Sequence, residues 1–126
     1  MTEFTGVRLA KLGTVLLGVR DTEKSLAFYR DVLGLAVQFS SGEFTFLEAG
    51  GVTLALRLFT DLKDTSDERR VELVFHVDNI DAAYAALKGR GVQFRIAPRV
   101  VTGEMLAADF RDPDGHVLSI FGPRSA

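Results

Sequence analysis

The chain contains no cysteine. Disulfides, thiolate metal sites and cysteine nucleophiles are thereby excluded together, and a reducing compartment is the natural setting. Histidine is scarce, with only His76 and His116. A dominant charge is missing too. Fifteen Lys and Arg stand against 17 Asp and Glu, for a net charge of -2, and no basic run exceeds the pair Arg69 and Arg70. No nucleic-acid partner is expected from such a surface. Long hydrophobic runs are absent, and the most apolar early stretch, residues 15–19, is far too short to cross a bilayer. Glu3 near the start, with no basic segment ahead of a long apolar block, argues against a secretory leader, so a cytoplasmic location without membrane association is expected. No serine lies in a nucleophile-elbow motif, and the glycine pair Gly50 and Gly51 reads as a hairpin turn rather than a phosphate loop.

What remains is enough to build a sizeable core. With 126 residues, 47% of them hydrophobic and 25% charged, the chain fits one domain or two fused modules. Its order repeats. Residues 12–19 form a β-type run; Asp21 can cap the helix that follows, with Leu26, Tyr29 and Leu33 on one face, and Gly34 stops it. Three strand-like runs follow at 36–40, 43–49 and 52–59, separated by turns at Ser41 with Gly42 and at Gly50 with Gly51. The second half repeats this: a strand at 71–77, Asn79 as cap, a helix with Ile80, Ala83, Tyr84 and Leu87 on one face, and Gly89 and Gly91 as stops. Strands are predicted at 92–96, 106–111 and 117–121, with the turn Asp112, Pro113, Asp114, Gly115 before the last. Strand, helix and three strands thus occur twice, roughly 60 residues apart. Residues 61–70, with one apolar residue in ten, read as a solvated linker.

Three segments carry a family resemblance. Residues 24–35, KSLAFYRDVLGL, resemble the first helix of the vicinal oxygen chelate superfamily, the glyoxalase, bleomycin-resistance and dioxygenase proteins; residues 110–120, FRDPDGHVLSI, resemble its closing turn and strand; residues 77–81, VDNID, resemble its second helix entrance. The resemblance runs from about residue 12 to 121 and implies an α+β fold. Two βαβββ modules (about 8–60 and 71–123, joined by linker 61–70) would curl an eight-stranded mixed sheet into a cup with helices outside, in one domain over residues 1–126. It also implies a homodimer, because curled half-sheets leave strand edges exposed.

Strand alternation sorts the residues within that fold. Val15, Leu17, Val19, Leu54, Leu56, Leu58, Leu73, Phe75, Val77, Leu118 and Ile120 should face the helices. Thr14, Leu16, Gly18, Arg20, Thr53, Ala55, Arg57, Phe59, Glu72, Val74, His76, Val117, Ser119 and Phe121 should face the cup. Phe44 and Phe46 share a face with each other, which alternation alone leaves unassigned. The metal-dependent relatives carry His, Gln or Glu at one position on each of four strands, and motif matching puts those slots at Thr14, Ala55, Glu72 and Ser119. Three of the four depart from the pattern: alanine has no lone pair, and neutral hydroxyls are weak ligands. No metal and no cofactor are therefore expected. His116 falls in the turn. His76 lies four residues beyond Glu72, about 13 Å along a strand, too far to share an ion, and reads as a rim or interface residue.

The expected function is metal-free binding of a small organic molecule in the cup, through Thr14, Leu16, Ala55, Arg57, Glu72, Val74, Ser119 and Phe121. Leu16 and Phe121 would be walls. Arg57 and Glu72 would be polar anchors, or would simply neutralise each other. Two other classes stay open: a metal-dependent lyase or dioxygenase, in which Glu72 is the candidate base, and an interaction module with a vestigial cup.

Overall fold

The computed structural model describes residues 6–113 and 115–124. Among the described residues, eight strands form a mixed sheet with two α-helices, the first continued by a π-helical segment, and a short 3-10 helix at Glu68–Arg70; strand, helix and three strands follow one another twice. This is the α+β, twice-βαβββ architecture that the sequence predicts. Contacts divide the described residues into a first unit, Gly13–Leu73, and a second containing residues 6–12 together with those described from Val74 onward.

In the first unit, β1 (Leu12–Val19) leads to α1 (Thr22–Leu26). Asp21 is extended and its carboxylate accepts from the Lys24 N–H at 3.2 Å, which satisfies one of the orphan donors of the first turn. The helix then widens into a π-helical segment, Ala27–Val32. This corrects the apolar face expected from helical spacing. The Leu33 N–H reaches back to the Phe28 carbonyl at 2.9 Å, one residue further than in an α-helix, so side chains beyond it are rotated round the axis. Leu26 and Tyr29 still pack on Leu47 and Leu56, but Leu33 is 54% exposed and Leu35 takes its place. Gly34, at φ +83°, ends the segment as expected.

The hairpin strands are β2 (Ala36–Ser41), β3 (Phe44–Glu48) and β4 (Thr53–Leu58), and within this unit the strand order is β2-β3-β4-β1. β1 and β4 are parallel, whereas β3 is antiparallel to both β2 and β4. The loop at 61–70 differs from the solvated linker expected. Its single apolar side chain, Leu62, is buried. Arg20 donates from Nε to the Leu62 carbonyl at 3.0 Å and from Nη2 to the Lys63 carbonyl. Arg69 pairs with Asp67 at 2.8 Å and Asp61 at 3.1 Å, and its hydrogen bonds hold the Asp67 carboxyl well below the usual carboxylate range.

In the second unit, β5 (Val71–His76), which enters it at Val74, is followed by α2 (Ile80–Gly89). Asn79 accepts from the Ala82 N–H at 3.0 Å. Ile80, Ala83 and Leu87 are buried with Tyr84 beside them, the face that spacing predicts. Gly89 lies inside the helix, so the stop belongs to Gly91 alone, at φ +96°. β6 (Phe94–Thr102), β7 (Met105–Arg111) and β8 (Val117–Pro123) complete the unit in the order β5-β8-β7-β6. β6 runs well past the expected residue 96. Pro98 falls where the register of β6 on β7 shifts, between Ile96 and Arg99, on the last strand in that order, and a bulged end strand tolerates a missing N–H. Gly115, at φ +92°, donates to the Asp112 carbonyl at 3.0 Å in the expected turn, of which Asp114 lies outside the described residues.

The two cores follow the alternation. Leu17, Val19, Leu54 and Leu56 pack with Leu26 and Leu47 in the first unit; Phe75, Val77, Leu118 and Ile120 pack with the α2 face in the second. Val15, Leu58 and Leu73 are half-buried. Full burial of a side chain such as Ile120 stabilises by about 1.5–3 kcal/mol.

Candidate functional site

In the first unit the sheet face opposite Leu26 is built in rows by strand register. Leu16 stands opposite Ala55, which stands opposite Phe46; Gly18 stands opposite Arg57, which stands opposite Phe44; Thr14 stands opposite Thr53. Partners in register point to the same face, so Phe44 and Phe46 belong with Arg57 and Ala55. A bulge in β2 then makes Phe39 the partner of Phe46 rather than of Thr45. The result is an aromatic strip. Phe39 and Phe46 stack with centroids 4.5 Å apart, and Phe46 and Phe44 at 5.8 Å with planes within 11°. The Arg57 guanidinium lies over the Phe44 ring at 5.1 Å and over the Phe59 ring at 4.7 Å; Arg69 lies over the other ring partner, Phe59, at 4.7 Å. Gly18 makes room for this: a Cβ there would stand 2.5 Å from the Arg69 carbonyl oxygen and 3.2 Å from the Phe59 ring.

Arg57 is only partly satisfied. Its Nη2 donates to Glu43 Oε1 at 3.4 Å, and its Nε is hidden from water with no hydrogen-bond partner among the described residues. A desolvated donor left unpaired costs about 1–3 kcal/mol.

The corresponding face of the second unit is arranged differently. Ser119 stands opposite Asp109, and Phe121 opposite Ala107. Both Ser119 and Asp109 are buried. Arg95 meets Asp109 twice, Nε to Oδ1 at 3.2 Å and Nη2 to Oδ2 at 3.4 Å. The His76 ring lies 5.6 Å from that of Phe121, and its pKa is lowered, first by burial and then by the charge of Lys11. Val74 and Val117 are buried alongside.

The eight residues singled out from sequence therefore divide between the units. Thr14, Leu16, Ala55, Arg57 and Glu72 lie in the first, Val74, Ser119 and Phe121 in the second. Leu16 and Ala55 are direct partners, and Arg57 is one row away. Phe39, Phe44, Phe46, Phe59, Glu43, Arg95 and Asp109 were not among them. Two grooves lie elsewhere, and none of the eight lines either. One of about 280 Å³ runs past Arg20, Lys24 and Arg70. The other, of about 400 Å³, passes Arg8, Lys11 and His76. His116 is an exposed turn residue, its Nδ1 2.8 Å from Asp112 Oδ2.

Of the four slots that the resemblance assigns to metal ligands, Thr14, Ala55 and Glu72 lie in the first unit and Ser119 in the second. Ala55 has only a buried methyl, Thr14 and Ser119 offer neutral hydroxyls, and Glu72 alone brings a carboxylate. Among the described residues, no three His, Asp or Glu side chains gather as a metal-holding group. None of the helices described is long and apolar enough to cross a membrane.

Two strand–helix–three-strand repeats in a mixed sheet define a vicinal oxygen chelate type of fold. The profile of the Glyoxalase/Bleomycin resistance protein/Dioxygenase superfamily matches residues 11–120, and the chain belongs to that superfamily. It is 31% identical over 109 residues to a protein named metallothiol transferase FosB from Shouchella clausii, covering 81% of this chain and 73% of that one. It is 29% identical over 124 residues to the uncharacterized protein YraH of Bacillus subtilis, covering 88% and 97%. Methylmalonyl-CoA epimerase from Mycobacterium tuberculosis has the same fold at a TM-score of 0.72 and 19% identity, covering 90% of this chain and 91% of its own.

Proposed function

We propose that this protein is a metal-free member of its superfamily that binds a small organic molecule, with the aromatic strip and Arg57 as its principal contacts. The observation that carries this reading is the condition of Arg57: a cation laid over two phenylalanine rings, with one N–H hidden and unpaired. Rigid strands rather than loops present these groups, so little ordering is needed on binding. Leu16 and Ala55 extend the apolar surface next to Phe46. Thr14 and Glu72, in the same unit, are further contact residues in this reading. No cofactor takes part.

Solution NMR with an aromatic probe, 2-naphthoate, tests it. The rings of Phe39, Phe44 and Phe46 should shift with saturation, and a hundredfold excess over Kd should raise stability by roughly 2.7 kcal/mol. No shift in these rings at millimolar probe would overturn the reading.

A second reading, a metal-dependent enzyme, is favoured by the similarity to a protein named as a metallothiol transferase. Elemental analysis of protein purified without chelators decides between them. Stoichiometric metal, lost on Glu72→Ala, would establish the second. We further propose a homodimer in the cytoplasm. Two strands, β2 and β6, each end the strand order of their unit, and β2 is exposed along its whole length, including Val37 and Phe39. Light scattering should return twice the 13.8 kDa chain mass. The single-chain mass at micromolar concentration would exclude the dimer.

A further inference from the structure

We infer that the ligand of the Arg57 face is a planar aromatic carboxylate, and that Glu43 is an internal anion which the ligand's carboxylate displaces. The inference rests on the binding reading above and names the chemistry of its ligand.

Recognition by Arg57 is already half committed. Phe44 and Phe59 take up the π surface of the guanidinium, so its N–H groups are what remains for a ligand. A guanidinium offers them in one plane, and the acceptor that matches two of them at once is a carboxylate. Glu43 fills this role poorly. One of its oxygens reaches one nitrogen, at 3.4 Å, and its side chain is 52% exposed. Charge-assisted contacts of full strength are about 2.7–2.9 Å. Nε, meanwhile, has no acceptor. The Glu43 backbone is fixed, since its carbonyl accepts from the Leu58 N–H at 2.9 Å. Its side chain can therefore swing outward while the strand stays in place.

The second unit shows how the same pairing looks when complete. There Arg95 contacts Asp109 through both Nε and Nη2, and the carboxylate is buried. Arg57 lacks such a partner within its own unit, and Phe44, Phe46 and Phe39 lead away from it as stacked rings. Phe39 is 56% exposed, so a ring face is open to a flat ligand whose carboxylate points at Arg57.

Titration calorimetry of the full chain with 2-naphthoate and its neutral isostere 2-naphthamide tests the inference. The wild type should prefer the carboxylate by about tenfold or more, the scale of a charge-assisted pair. Glu43→Gln, an exposed change that leaves the fold intact, should tighten naphthoate several-fold and leave naphthamide unchanged. Arg57→Met should abolish the preference, and Arg57→Lys, which keeps the charge but loses the fork, should restore it only in part. Equal affinity for the two probes, or a Glu43→Gln protein that binds naphthoate no better, would overturn the inference while leaving the binding reading intact. Failure of both probes to bind would remove the reading and the inference together.

Discussion

Asp109 in the second unit is buried and met by Arg95 through two contacts; Arg57 in the first unit touches Glu43 through one long contact and keeps an unpaired Nε. The two units share a strand–helix–three-strand order, the same kind of helix cap and the same inward alternation. They differ in whether the charge on the helix-free face is neutralised from within. A duplicated fold sets where side chains point. It does not dictate that the groups there find partners: the second unit pairs its carboxylate fully, and the first leaves its cation half-satisfied.

The likeness of the cores can be broken first. Ile120→Ala in the second unit and Leu56→Ala in the first each remove a side chain with at most 1% exposure, and each should cost about 2–5 kcal/mol in urea unfolding. If only one variant loses stability, the units do not melt as one cooperative structure. The close approaches come next. Gly122→Ala would push a Cβ into the Val77 carbonyl, and Gly18→Ala into that of Arg69, with the overlap more severe at Gly122. Losses of about 1–3 kcal/mol are expected, with Gly122→Ala the larger. Comparable Tm values for wild type and Gly122→Ala would show that the backbone yields there.

The charge difference itself is tested by Arg95→Met and Arg57→Met. The first strands a buried carboxylate and should destabilise by about 1–3 kcal/mol; the second removes an unpaired donor and should stay within about 0.5 kcal/mol of wild type. Equal losses would erase the contrast. The caps are expected to behave alike: Asn79→Ala and Asp21→Ala should each cost about 1 kcal/mol by chemical denaturation.

The smallest effect is a pH dependence confined to the second unit. Burial and Lys11 lower the His76 pKa from its ordinary value of 6.5, so the folded state binds fewer protons than the unfolded chain. Stability is then complete above the ordinary value and falls as pH drops through it towards the lowered folded pKa. His76→Gln should flatten that part of the profile between about pH 8 and about pH 5. An unchanged slope would mean that His76 titrates alike in both states.

Local chemistry in the sequence was sufficient for the element order, both N-caps, the stop at Gly34 and the sorting of Leu17, Leu56, Phe75 and Ile120 into cores. Capping, positive φ and strand alternation each act over a few residues, so the chain displays them directly. Arg57 was legible as a candidate because a charge in an apolar alternating strand is conspicuous. Its surroundings were not. Phe39 joins Phe46 only because a bulge shifts β2 by one residue, and Phe44 joins Arg57 only through the register of β3 on β4. Leu33 left the core because six residues adopted π rather than α geometry. Each of these is a shift of one residue, and one residue exchanges the two faces of a strand or rotates a helix by a large fraction of a turn. Which residues lie opposite one another is settled by long-range pairing, and that pairing exists only once the sheet has formed.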